Sequence, residues 1–214
     1  MSKVLDYLSN RRSIKNFNKY FKLNDNDIKK ILESIRMAPT SFNLQPFKAL
    51  YISKEEIKKD FFEYWWKQNS VIECSGIIIW LVYKEEFLKN KYIDNQISKL
   101  VDPENTKRIE GMNKGISYIM RDREISYEEW AIRQCYITMG SMLAVAEELG
   151  IDTCPIEGYK TSATNEILQK YNLIDLNTET VALACVVGKK DGEQNEHFSK
   201  IKKRLQYEEL FKII

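Results

Sequence analysis

Two stretches of this chain are apolar without interruption and rich in β-branched residues: 77–83 (IIIWLVY) and 180–187 (TVALACVV). A strand that alternates apolar and polar residues can leave one face in water, whereas a strand without alternation is covered on both. The two runs therefore predict central strands of a sheet, the second ended by Gly188. A further strand is predicted at 47–53. Elsewhere the periodicity is helical. Val4, Leu5 and Leu8 share one face of a short helix over 2–10. Ile28, Ile31, Leu32 and Ile35 follow cap candidates at 24–27, and Ala38-Pro39 ends that helix. Residues 54–67 read as a helix with an aromatic end at Tyr64, Trp65 and Trp66. Residues 85–125 are charged, helical and broken near Asp102-Pro103, a helical excursion from the same domain. A helix over 128–149 is apolar on most sides, as a helix buried in a core or an interface is, and Gly150 closes it. Thr161 or Ser162 is expected to cap a helix running to Tyr171. Too few strands alternate with helices for a doubly wound sheet. The prediction is one α+β domain over 1–214 with a small sheet.

Composition removes several chemistries. Lys and Arg number 33 against 31 Asp and Glu, so neither a basic nucleic-acid coat nor an acidic tail is expected. The longest apolar run is far short of the roughly 20 residues that span a bilayer. The opening MSKVLDYLSNRRSIK carries no apolar stretch of the signal-peptide kind, and a cytoplasmic location is expected. Cys74, Cys135, Cys154 and Cys185 sit among apolar residues without metal-ligand spacing, so neither a disulfide framework nor a metal site is expected. His197 is the only histidine, in a polar stretch, which disfavours triad chemistry. There is no Walker loop and no G-x-G-x-x-G.

Three clusters combine anion donors with turn residues. Arg11-Arg12-Ser13-x-Lys15 suits a phosphate, or is a solvated basic turn. The segment 39–47 (PTSFNLQPF) offers hydroxyls and amides to a flat heteroaromatic edge, or is a helix-to-strand connection. The segment 154–159 (CPIEGY) combines a rigid proline with Gly158, which could take a backbone conformation closed to other residues, or is a strand end before a helix.

R-R-S-I-K-x-F, then P-T-S-F-N-L-Q-P-F, then P-I-E-G, and the late Lys202-Lys203-Arg204-Leu205, in this order and separation, resemble the nitroreductase family of FMN-dependent NAD(P)H oxidoreductases. The resemblance spans about residues 7–205 and is weakest over 85–125. It implies a nitroreductase-like α+β fold, a small central, mainly antiparallel sheet flanked by helices, working as a homodimer. It further implies FMN as cofactor and NAD(P)H as co-substrate. Hydride would pass to FMN N5 and on to a nitroaromatic, quinone or related acceptor in ping-pong order. Arg11, with Arg12 beside it, and Lys202 and Arg204 match phosphate-side residues. Ser13 and Lys15 match further FMN contacts, with Lys15 at the N1–O2 edge. Pro39, Thr40, Ser41 and Asn43 match a loop lining the ring from the other subunit. Gln68 and Asn69 lie where an amide meets the pyrimidine edge. Pro155, Ile156, Glu157 and Gly158 match the segment passing N5, where the Glu157 backbone N–H is the donor. Phe42 and Tyr118 fall on the substrate side. No side chain is assigned as catalytic, because the flavin carries the chemistry. Residues 85–125 would form a lid, and 206–214 an arm crossing to the partner. The same resemblance accommodates a flavin reductase, a dehalogenase or another flavin enzyme, and a non-catalytic FMN-binding or storage protein.

Overall fold

The computed structural model describes residues 2–192 and 202–214; His197 lies outside the described residues. Strands β1 (Phe47–Ile52), β2 (Gly76–Tyr83), β3 (Asp152–Ile156) and β4 (Glu179–Gly188) form one sheet in the order β1-β2-β4-β3. Every neighbouring pair is antiparallel. The two uninterrupted apolar runs are the two inner strands, as their patterning demands. Pro155 lies in β3, an edge strand, where a missing N–H is tolerated.

Alternation along β2 and β4 divides the core in two. Ile78, Trp80, Val82, Leu183, Cys185 and Val187 pack with α2 (Asp25–Met37) and α8 (Tyr127–Glu148). Ile77, Ile79, Leu81, Val181, Ala184 and Val186 pack on the other face with Phe61, Trp65 and Leu168. Each such buried aliphatic side chain contributes about 1.5–3 kcal/mol relative to exposure. A register shift at Trp80/Leu81 lets both Ala182 and Leu183 pack toward the first face. Trp80 Nε1 donates to Thr138 Oγ1 at 3.0 Å, tying β2 to α8.

Helix α1 (Lys3–Asn10) precedes α2, whose start is capped by Asn24 Oδ1 accepting from Asp27 N at 2.9 Å. The helix predicted over 54–67 is shorter. Helix α3 (Glu55–Phe62) ends when Lys67 N turns back to Phe62 O at 3.1 Å. That closure puts Trp66 and Lys67 at φ of 53° and 50°, in the left-handed region. Helix α4 (Asn69–Glu73) follows. The 85–125 excursion consists of α5 (Glu85–Phe87), a π-helical turn over Leu88–Tyr92, α6 (Ile93–Leu100) and α7 (Thr106–Asp122). Leu88, Tyr92, Ile93, Ile97, Ile116 and Met120 bind it to the first core. Gly150, at φ 67°, closes α8 as expected. Helix α9 (Thr161–Lys170) starts one residue earlier than a Thr161 cap would allow: Lys160 occupies the N-cap position, and Thr161 is the first helical residue. A short α10 (Tyr207–Leu210) lies in the C-terminal segment.

Candidate functional site

Beyond the outer edge of β3 the chain adds a short parallel bridge. Ser13 pairs with Thr153, and Ile14 N donates to Thr153 O at 3.0 Å. This docks residues 11–15 beside 152–156, joining two of the three clusters found in the sequence. Lys15 Nζ donates to Cys154 Sγ at 3.2 Å. Arg11 Nη1 lies 3.5 Å from Ser13 Oγ. The late basic segment joins them: Lys202 Nζ donates to Leu8 O at 2.5 Å and to Arg11 O at 3.1 Å.

The result is a concentration of positive charge. Burial holds Lys202 below the ordinary lysine range, and Arg11, Arg204 and Arg12 push it further down. Among the described residues none of these four cations forms an ion pair. Glu147 on α8 is the nearby acid. Burial and Asp152 raise its carboxyl, while Arg11, Lys190 and Lys202 pull against that. The donors differ in availability. Arg12 Nη1 donates to Ser9 O, Asn10 O and Arg11 O, capping the end of α1, while its buried Nε has no partner. Arg204 spends one nitrogen, on Lys203 O. Lys202 spends two of its three protons on carbonyls.

Pro155 and Ile156 end β3, and Glu157 and Gly158 follow. Gly158 has no positive φ, whereas the sequence offered it a backbone conformation closed to other residues as one of two readings. What its missing side chain admits is an indole: a Cβ there would lie 2.6 Å from Trp66 Cε3. Gln68 Nε2 donates to Gly158 O at 3.2 Å, with Asn69 beside it at the start of α4. Tyr136 on α8 donates a short hydrogen bond to Glu157 Oε1, which, with burial, pushes the tyrosine up to about 12.

The 39–46 loop sits elsewhere. Ser41 N donates to the buried Gln134 Oε1 at 2.9 Å, and Tyr92 OH donates to Gln45 O at 2.6 Å. Gln45 N donates to Thr40 Oγ1, and Pro39 follows the C-cap of α2. Phe42, Asn43 and Gln45 all have positive φ. Phe42 Cζ lies 3.1 Å from where a Gly115 Cβ would sit on α7, and Tyr118 is exposed three residues further along that helix. Gln134, which holds this loop, and Glu147, beside the cationic cluster, are thirteen residues apart on one helix, about 20 Å along its axis, so the two groups meet α8 at different turns. One chain does not bring together all the residues singled out in the sequence. Trp66, Tyr92, Gln134 and Tyr136 were not singled out as site residues in the sequence. The one available signal was the Tyr-Trp-Trp cluster at 64–66, which contains Trp66.

A family model described as the nitroreductase family matches residues 8–189. The chain is 29% identical over 189 residues, 86% of each sequence, to a Staphylococcus haemolyticus protein provisionally named an NAD(P)H nitroreductase. It superposes with a TM-score of 0.75 on a Bacillus subtilis protein provisionally described as a nitroreductase, at 22% identity and 98% coverage of both chains. A structure from Exiguobacterium sibiricum, solved in complex with FMN, superposes with a TM-score of 0.72 at 20% identity, covering 100% of this chain and 98% of that one. At such identities these superpositions show a shared fold.

Proposed function

The chain belongs to the nitroreductase family, and from that premise we propose that it is an FMN-dependent oxidoreductase. It takes hydride from NAD(P)H and reduces nitroaromatics, quinones or related acceptors. The observation that carries this reading is the cationic cluster of Arg11, Arg12, Lys202 and Arg204 beside β3, none of which forms an ion pair among the described residues, with burial and its cationic neighbours holding Lys202 below the ordinary lysine range. Like charges held this close call for an anion, and a phosphate dianion offsets them. The donors of Arg11 and Arg204 that no bond among the described residues takes up, and the third proton of Lys202, suit that group.

FMN, when bound, supplies hydride acceptance and donation at N5. The chain supplies position and electrostatics. Arg11, Lys202 and Arg204 hold the phosphate, and Ser13 adds a hydroxyl. Lys15 brings a cation to the N1–O2 edge and favours negative charge there. The Glu157 backbone N–H is the donor toward N5, with Tyr136 holding the carboxylate of the same residue. Gln68 steadies the segment through Gly158 O. NAD(P)H and the acceptor occupy one open face in turn, which gives ping-pong order.

The working unit is a homodimer. Pro39, Thr40, Ser41 and Asn43 line a ring held by the partner's phosphate cluster, which accounts for their separation along α8 within one chain. Val4, Leu5 and Leu8 on α1, Tyr136 and Ile137 on α8, and Leu205, Tyr207, Leu210, Phe211, Ile213 and Ile214 are exposed apolar side chains available to such an interface. The arm at 206–214 crosses to the partner. Residues 85–125, through Phe42 on Gly115 and Tyr118, cover the substrate side. No helix among the described residues is long and apolar enough to cross a membrane, which accords with a cytoplasmic enzyme.

The test is FMN uptake. The purified protein should be yellow, or become so with added FMN, and mass analysis of the released cofactor should give FMN. A colourless protein that takes up none refutes the reading.

A further inference from the structure

Trp66 combines features that packing alone leaves unexplained. It is 78% exposed, while its neighbour Trp65 is fully buried, donates to Thr164 Oγ1 at 2.9 Å and stacks on Phe61. Trp66 and Lys67 are consecutive non-glycine residues in the left-handed region. Such strain persists only where surrounding structure enforces it, and it concentrates at functional sites. Here the enforcement is visible. Lys160 N donates to Tyr64 O at 2.9 Å on one side of Trp66, and Gln68 Nε2 donates to Gly158 O at 3.2 Å on the other. The turn is thus pinned to 158–160 at both ends. The indole itself rests against Gly158, at a spacing only a glycine allows. A large aromatic ring is held in place and left uncovered, one residue from Glu157.

From this geometry we infer that Trp66 is a specificity-determining residue, the aromatic wall on which a planar electron acceptor stacks while it faces the cofactor. The inference rests on the flavin reading above, since Glu157 marks where the ring's N5 would lie. Aromatic stacking selects for flat acceptors and does little for an acceptor reduced without ring contact.

The experiment uses the FMN-loaded protein with Trp66→Leu and Trp66→Phe, 1,4-naphthoquinone as planar acceptor and ferricyanide as control. Trp66→Leu is expected to raise the quinone KM about 3- to 10-fold. Trp66→Phe should restore part of the loss, and the ferricyanide KM and FMN content should be unchanged. A second readout needs no turnover. Trp65, Trp80 and Trp130 are buried, so Trp66 is the tryptophan a soluble quencher reaches. Without NAD(P)H, naphthoquinone should quench wild-type tryptophan fluorescence saturably, and Trp66→Phe only in linear, collisional fashion. Protein that takes up FMN and turns over, with an unchanged quinone KM in Trp66→Leu and no saturable quenching, overturns the role of Trp66 alone. So does a Trp66 that acrylamide cannot reach, because the partner subunit then covers it. Protein that takes up no FMN refutes the flavin reading itself.

Discussion

Replacing Arg11 by Ala removes a guanidinium whose one side-chain hydrogen bond among the described residues is a 3.5 Å approach to Ser13 Oγ. Its remaining donors are the ones assigned to the FMN phosphate. A hydrogen bond to a charged group contributes about 1.5–3 kcal/mol, so Arg11→Ala should weaken FMN binding about 10- to 100-fold. Arg204→Ala should do the same, since among the described residues the Arg204 side chain is engaged only with Lys203 O. Arg12 provides the contrast. Its Nη1 is committed to three carbonyls at the end of α1. Arg12→Ala should therefore lower apoprotein stability by about 1–2 kcal/mol and weaken FMN binding less than the other two changes. Titration of apoprotein with FMN, followed by quenching of flavin fluorescence, reads the affinities, and urea unfolding of the apoproteins reads the stabilities. Riboflavin, which lacks the phosphate, should bind wild type weakly and Arg11→Ala equally weakly. An unchanged FMN affinity in both Arg11→Ala and Arg204→Ala would place the phosphate elsewhere. An equal loss of riboflavin affinity would show that the change damages the site generally.

Glu157→Gln should keep most activity, because the backbone N–H is the assigned donor; loss of several orders of magnitude in turnover with FMN still bound would implicate the carboxylate. Gly158→Val should be worse, since its Cβ would meet the Trp66 ring. The Tyr136 phenol is raised by its bond to Glu157, so the stability it adds is present below pH 10 and lost as pH rises toward about 12. The difference in unfolding midpoint between wild type and Tyr136→Phe should shrink over that window, and a difference that grows there would contradict the assignment. Mixing an Arg11→Ala chain with a chain altered at Ser41 and Asn43 should recover activity, because each mixed dimer regains one wild-type site; no recovery would mean each site belongs to one chain.

The fold was legible where burial alone dictates sequence. The inner strands show as unbroken apolar runs because nothing but side chains touches either face. Helix α2 shows because its cap and its Pro39 stop are local. Strand β3 was legible only as a strand end before a helix, one of two readings of 154–159: at the sheet edge it tolerates Pro155, so it resembles a turn. The early end of α3 was hidden because no glycine marks the left-handed positions at Trp66 and Lys67. The cationic cluster could be read residue by residue, but not its closure by Lys202, whose partners lie 191 and 194 positions away. For the same reason Gln134 and Tyr92 were invisible as anchors of the 39–46 loop. Hydrogen bonds across 93 and 47 positions leave no local pattern. Gly158 was singled out for its backbone freedom, and its importance is instead the close approach of a ring.

The most direct test of the central claim separates the two half-reactions. FMN-loaded protein is mixed anaerobically with NADH or NADPH, without acceptor, and the yellow absorbance is followed by stopped flow. An acceptor such as naphthoquinone is then added after removal of the oxidised nucleotide. The account predicts that a nicotinamide alone bleaches the bound flavin, that the acceptor alone restores it, and that steady-state rates give parallel double-reciprocal lines. Bound FMN that neither nicotinamide bleaches would contradict the assignment as an NAD(P)H-dependent oxidoreductase.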